Sequence, residues 1–168
     1  MPIDPNRETW KPGMGWEQAV DDMGYIRGLA QELGGPERIK RQHSGGRYTV
    51  RERIDKMVDP GSFMEAGPLV GAVEYDEDGN LTEFTPGAYI MGLAEIDGRP
   101  VAIGGDDFTI SGGSPHNVHK NSRQFTQPMA IQYGLPYIQL VEGVGHSSKS
   151  DEAAGHMGLP SGEQWWQH

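Results

Sequence analysis

An α/β fold, a ββα unit preceded by an N-terminal helical segment, is predicted from three observations. Residues 16–33 place Trp16, Ala19, Val20, Met23, Ile26, Leu29, Ala30 and Leu33 in an amphipathic helical pattern. Two apolar runs flank Asp97-Gly98, a strong hairpin signal. A helix opened by Ser114 and Pro115 then separates the hairpin from another short apolar run at 135–142. Strand, strand, helix, strand is the order of a ββα unit. The chain divides into 1–60, an arm with helices, and 61–168, the α/β part.

Taken in order, residues 1–13 carry Pro2, Pro5 and Pro12 and read as an extended arm. The helix at 16–33 is ended by Gly34-Gly35-Pro36. A short helix at about 36–42 follows. Thr49 and Glu52 have capping-box spacing, and Ile54, Met57 and Val58 form an apolar stripe behind them. Asp59-Pro60-Gly61-Ser62 stops that helix and turns the chain. Residues 74–87, rich in Glu74, Asp76, Glu77, Asp78 and Asn80, read as a solvated surface loop without the ligand order of a calcium loop. Tyr89 to Ile96 and 99–103 are the hairpin strands, with Pro100 near a strand start, where a missing N–H costs least. Pro128 is expected to kink or split the helix before the last strand. The face bearing Trp16 and the terminal Trp165-Trp166 read as surfaces that pack on another chain or on further sequence.

Composition narrows the function classes. The chain has 168 residues, enough for one core, and a net charge of −10. That charge disfavours nonspecific binding to nucleic acid or anionic membrane. No run approaches the ~20 apolar residues of a membrane span, and no secretory signal opens the chain. With no cysteine, disulfides and thiol catalysis are excluded within it, and a cytoplasmic setting is expected. His116, His119, His146 and His156 make no zinc-binding pattern, so no metal site is expected. Ser147-Ser148-Lys149-Ser150 lacks a nucleophile elbow and reads as a polar loop. Charge is uneven, however: residues 38–53 hold Arg38, Lys40, Arg41, Arg47, Arg51 and Arg53 against Glu52. Such a strip can receive a phosphorylated ligand, because field focusing is local. Intramolecular ion pairs are the competing reading for each arginine.

Two segments carry the sharpest signal. The first runs Gly46-Arg47-Tyr48-Thr49-Val50-Arg51-Glu52-Arg53-Ile54 and continues into Asp59-Pro60-Gly61-Ser62-Phe63-Met64-Glu65. The second runs from Asp97-Gly98-Arg99-Pro100 to Asp107-Phe108-Thr109-Ile110-Ser111-Gly112-Gly113-Ser114. A Gly-Gly-Ser that opens a helix can turn free N–H groups toward an anion or a carbonyl oxygen. Both segments resemble the carboxyltransferase (beta) subunit of biotin-dependent acyl-CoA carboxylases, of the acetyl- and propionyl-CoA carboxylase type. In the first, Val50 stands in place of the family's Ala. The resemblance runs from about residue 16 to about 165 and covers only the N-terminal portion of that family's longer chain.

The resemblance implies an incomplete crotonase-like (ClpP/crotonase) ββα superhelix that binds acyl-CoA. In the whole enzyme a carboxyl group passes from carboxybiotin to the α-carbon of the thioester. Arg47, Arg51, Gly112, Gly113, Ser114 and His146 are the expected acyl-CoA contacts. Residues 142–147, Glu-Gly-Val-Gly-His-Ser, stand where the family has Asp-Ser-Gly-Gly-Ala-Arg. Val144 and Gly145 are therefore the expected backbone oxyanion hole. Biotin is expected on a partner protein or domain. The expected partners are the remainder of the carboxyltransferase, the biotin carboxylase and the biotin carrier, in an oligomer that acts neither on nucleic acid nor in a membrane. Activity from this chain alone is not expected. A truncated piece, a degenerate homologue, a noncatalytic or split subunit that stabilises or regulates a full carboxyltransferase assembly, and a crotonase-type thioester enzyme are the alternatives.

Overall fold

The computed structural model describes residues 1–143 except 2, 5, 79 and 114–119, and describes 120–124 by backbone alone. Helices lead: α1 Trp16–Gln31, α2 Pro36–Ser44 and α3 Val50–Met57. Five strands follow: β1 Met64–Ala66, β2 Gly71–Tyr75, β3 Leu81–Pro86, β4 Tyr89–Ile96 and β5 Arg99–Asp106. A 3₁₀ turn at Ser111–Gly113, α4 Lys120–Tyr133 and β6 Tyr137–Leu140 complete the elements.

The α3 helix forms as its sequence dictates. The Thr49 side chain accepts from Glu52 N at 3.3 Å, and Thr49 N donates to Glu52 Oε2 at 2.7 Å. This satisfies two N–H groups that a helix start leaves open. His43 Nε2 lies 2.9 Å from Glu52 Oε2 and, with the Thr49 bonds, holds the Glu52 carboxyl below its ordinary range.

Asp97 and Gly98 both take left-handed backbone, φ 51° and 70°, as a two-residue hairpin turn requires. Asp59 seals this turn: its Oδ1 accepts from Asp97 N at 3.0 Å and its Oδ2 from Gly98 N at 2.7 Å. Asp59 N donates to Glu95 O at 2.7 Å, and the Ser62 hydroxyl accepts from Glu95 N at 3.1 Å. The Asp-Pro-Gly-Ser segment thus ends α3 and also fastens it to the β4–β5 hairpin.

The main sheet has the order β1-β4-β5-β6. Its first two pairings are antiparallel, and β6 runs parallel to β5 with Ala102 opposite Tyr137 and Gly105 opposite Leu140. A parallel neighbour needs a crossover, which α4 supplies. One face of the sheet packs Ile90, Ala94, Val101, Ile103 and Leu140 against Leu33, Val50, Ile54 and Val58. The core therefore draws on residues from both sides of position 60. The other face carries α4, whose Thr126 and Ala130 are buried. Thr126 Oγ1 lies 3.5 Å from Met91 Sδ.

Two expectations are corrected. Residues 74–87 are not a plain loop: β2 and β3 form an antiparallel hairpin with Val73 opposite Phe84. The Asp76 carboxylate accepts from Asp78 N, Asn80 N and Asn80 Nδ2 and folds the turn, while Phe84 is buried on the α1 side with Ile3 and Ala30. Met1 and Ile3 lie along this hairpin, with Ile3 N donating to Thr82 O and Phe84 N to Met1 O. Pro128 does not split α4, which runs through it from Lys120 to Tyr133. Buried residues on both sides of the proline hold both turns on the sheet. On α1, Tyr25, Ile26 and Leu29 pack against Ile3, Ala30 and Phe84, and Trp16, Val20 and Met23 face outward.

Removing the Asp59 clasp tests this account. Asp59→Ala deletes both acceptors of the hairpin turn and is expected to lower unfolding free energy by roughly 1–3 kcal/mol. A urea midpoint indistinguishable from wild type would show that the clasp carries no stability.

Candidate functional site

The C-terminal end of β5 delivers Asp106 and Asp107, both buried. Asp107 N donates to Ala88 O at 2.9 Å, and its Oδ1 accepts from Thr109 N at 2.9 Å and Thr109 Oγ1 at 2.6 Å. Thr109 Oγ1 in turn accepts from Gly34 N at 2.9 Å, which ties the α1–α2 joint to this segment. Asp107 Oδ2 has no hydrogen-bond partner. Burial pushes the Asp107 carboxyl above its ordinary range, opposed by the Thr109 bonds and by the Arg51 charge.

Three successive residues then take left-handed backbone: Ser111, Gly112 and Gly113, at φ 50°, 64° and 70°. Such a run costs about 1–2 kcal/mol per residue with a Cβ, which accounts for the paired glycines. Gly113 is constrained a second time, because a Cβ there would overlap the Glu142 carbonyl oxygen. The turn is thereby pressed against the chain leaving β6.

Glu142 sits at that exit and joins four elements. Its backbone N donates to Asp106 Oδ2 at 3.3 Å. Its Oε1 accepts from Gln42 Nε2 at 2.8 Å, and its Oε2 pairs with Arg53 Nη1 at 3.2 Å. Arg47 Nη1 approaches Oε1 less closely, at 3.6 Å. Gln42 is itself buried, and it also donates to Tyr48 O at 3.2 Å.

Arg47 stacks over the Phe108 ring, 4.4 Å from its centroid. With Arg38 and Arg41 it walls a cleft of about 410 Å³ whose far side is Phe108, Thr109, Ser111 and Gly112. Arg38 Nη1 reaches Thr109 O at 3.5 Å. Three guanidinium groups beside an aromatic ring and an open turn form a setting for a phosphorylated ligand.

Of the residues singled out from the sequence, Arg47, Gly112 and Gly113 come together here. Arg51 stands apart, on a second cleft of about 510 Å³ with Gln31, Asp55 and Pro60. Its guanidinium is bidentate to Glu65, at 2.8 and 2.9 Å. Ser114, Val144, Gly145 and His146 lie outside the described residues, as do His116, His119, His156, Ser147–Ser150 and Trp165-Trp166. Sequence reasoning missed Gln42, Asp106 and Glu142. For Glu142 the available signal was an acidic residue between an apolar strand and a glycine turn.

The carboxyl transferase domain family matches residues 41–164. The chain belongs to this family. A relative within it, the biotin-dependent 3-methylcrotonyl-coenzyme A carboxylase beta1 subunit of Mycobacterium tuberculosis, is 39% identical over 121 residues, covering 69% of this chain and 21% of that one. The mitochondrial propionyl-CoA carboxylase beta chain of Mus musculus is 35% identical over 114 residues, with 67% and 21% covered. This carboxyl transferase chain thus spans about a fifth of the length of these curated relatives. The transcarboxylase 12S structure, a hexamer assembly with methylmalonyl-coenzyme A and methylmalonic acid bound, matches with a TM-score of 0.67 at 25% identity, covering 86% of this chain and 29% of that one. The fold is accordingly the crotonase-like α/β fold of these subunits, present in part and preceded by the N-terminal helices.

Asp107 gives a pH prediction. Its folded carboxyl titrates above the unfolded value, so the native state holds this proton to higher pH, and its contribution to stability falls as pH rises through that interval. Asp107→Asn retains an oxygen acceptor for Thr109 and removes the charge. Denaturant midpoints are expected to shift in favour of the variant as pH rises over the range above about pH 4, the ordinary Asp value. A constant difference across that range would remove Asp107 as the source of the dependence.

Proposed function

We propose that this chain forms the acyl-CoA side of a carboxyltransferase site in a biotin-dependent acyl-CoA carboxylase. The observation that carries the reading is a cleft with Arg38, Arg41 and Arg47, the last from the first family segment, on one wall and Phe108, Thr109, Ser111 and Gly112, from the second, on the other. The names of the relatives, carboxylases of 3-methylcrotonyl- and propionyl-CoA, support it, as does a transcarboxylase structure with methylmalonyl-CoA bound.

In this reading Arg47, with Arg38 and Arg41, neutralises the phosphates of coenzyme A. Gly112, Gly113 and Ser114 line the path of the thioester, and His146 contacts the coenzyme. Arg51, assigned to the ligand by resemblance, serves through its pair with Glu65 as a support for α3. The backbone N–H groups of Val144 and Gly145 receive the negative charge that grows on the thioester oxygen when the α-carbon becomes nucleophilic. Carboxybiotin, carried by a partner protein or domain, supplies the carboxyl group. The chain acts within a cytoplasmic oligomer that includes the remainder of the carboxyltransferase, and the outward Trp16, Val20 and Met23 face is covered there. Among the described residues no helix is long and apolar enough to cross a membrane.

Two measurements test the assignment. Calorimetry with the chain in its assembly is expected to show acyl-CoA binding at least ten-fold tighter than the matching pantetheine thioester, which lacks the nucleotide phosphates, since one charge-assisted bond is worth roughly 1.5–3 kcal/mol. The advantage should shrink as salt is raised. Equal affinities would take the arginine cleft out of the site. For the oxyanion turn, Gly145→Ala is expected to lower turnover by roughly 10²-fold, the scale of one lost donor. Val144→Gly is expected to preserve turnover or raise it. A Gly145→Ala variant that melts earlier yet turns over normally would make the turn purely structural.

A further inference from the structure

Glu142 carries more than the reading above asks of it. Three side chains converge on its carboxylate, and they are not held equally. Gln42 at 2.8 Å and Arg53 at 3.2 Å are close partners. Arg47 lies at 3.6 Å and is the most exposed of the group, at 45% against 27% for Arg53. Arg47 alone of the two arginines also lines the basic cleft. If Arg47 turned away, Glu142 would keep two partners on its side chain and its backbone bond to Asp106. The same turn would free the Arg47 guanidinium, which already lines the cleft, for a ligand there.

We propose that Glu142 is a latch: it holds Arg47 against the Phe108 face in competition with phosphate, and yields it to the phosphate of coenzyme A. A phosphate oxygen and the Glu142 carboxylate compete for one guanidinium, so a ligand must displace an existing ion pair to bind. Glu142 thereby sets the affinity of the cleft for phosphate and makes it lower than the three arginines alone would give. Its backbone stays fixed between Asp106 and Gly113 throughout, so release of Arg47 does not move the β6 exit. The inference deepens the acyl-CoA reading and rests on it.

The sign of the effect makes the proposal testable. Removing a residue that merely supports the site weakens binding, whereas removing a latch strengthens it. With the full chain in its assembly, Glu142→Gln is expected to tighten coenzyme A binding at least three-fold and to leave pantetheine binding unchanged. Glu142→Asp, which keeps the charge but draws it back from Arg47, is expected to tighten binding by a smaller factor and covers the case in which Glu142→Gln fails to fold. The third arm places Glu142→Gln in an Arg47→Ala background. A latch loses its effect there, while a general gain of positive charge persists. Weaker or unchanged coenzyme A binding in the variant that folds, or full tightening in the Arg47→Ala background, overturns the latch. Failure of the wild-type assembly to bind coenzyme A overturns instead the reading of the cleft.

Discussion

Helix α3 lies so close on strand β5 that position 105 has no room for a side chain. A Cβ on Gly105 would stand 2.7 Å from Val50 Cγ2 and 3.0 Å from Leu140 Cβ. This contact decides the rest. Val50, Ile54 and Ile103 are almost wholly buried through it, each contributing about 1.5–3 kcal/mol of transfer free energy. The helix is then held at both ends by polar groups. Asp59 beyond its C-terminus grips the hairpin turn, and Arg53 with Gln42 reaches Glu142 at the exit from β6.

That geometry divides labour among arginines that look alike in the sequence. Arg51 and Glu65 are both more than four-fifths buried and meet in a bidentate fork, the arrangement in which an Arg–carboxylate pair is strongest. Such a pair is costly to break, since either partner left alone would be an uncompensated buried charge. Arg53 is held by Glu142 through a single bond at 3.2 Å. Arg47 is nearly half exposed, with a longer ion pair and a ring beneath it, so water screens its attraction to Glu142. Arg51 and Arg53 are thus tied into the fold, while Arg47 stays with Arg38 and Arg41 at the cleft.

The parts legible in the sequence are those set by short-range rules. The capping box at Thr49 and Glu52, the turn at Asp97-Gly98 and the β4–β5 strands each depend on neighbours a few residues apart. The β2–β3 hairpin was hidden by its acidic turn, although Asp78-Gly79 between Val73 and Phe84 carried the same signal as Asp97-Gly98. For Glu142 the sequence offered its place after an apolar strand but not its partners, because Arg53 and Gln42 are 89 and 100 residues away. For the same reason spacing could not separate Arg47 from Arg51. They sit four residues apart, but one precedes the helix and the other enters it, and they open on different clefts.

The parallel pairing of β5 and β6 explains why the cleft forms where it does. Parallel strands bring their carboxyl ends to the same edge of a sheet, where open α/β folds leave a crevice for ligands. Here that edge receives Asp106 to Gly113 from β5 and Glu142 with Gly143 from β6. The left-handed run at 111–113 folds the first segment back until Gly113 touches the second, and Asp106 ties the second to the first through Glu142 N. Had β6 run antiparallel, its end would lie at the opposite edge, some four residues of strand away, and neither contact could form. The helix α4 that makes the crossover is thus as necessary to the site as any residue lining it, although no described residue of α4 lines the cleft.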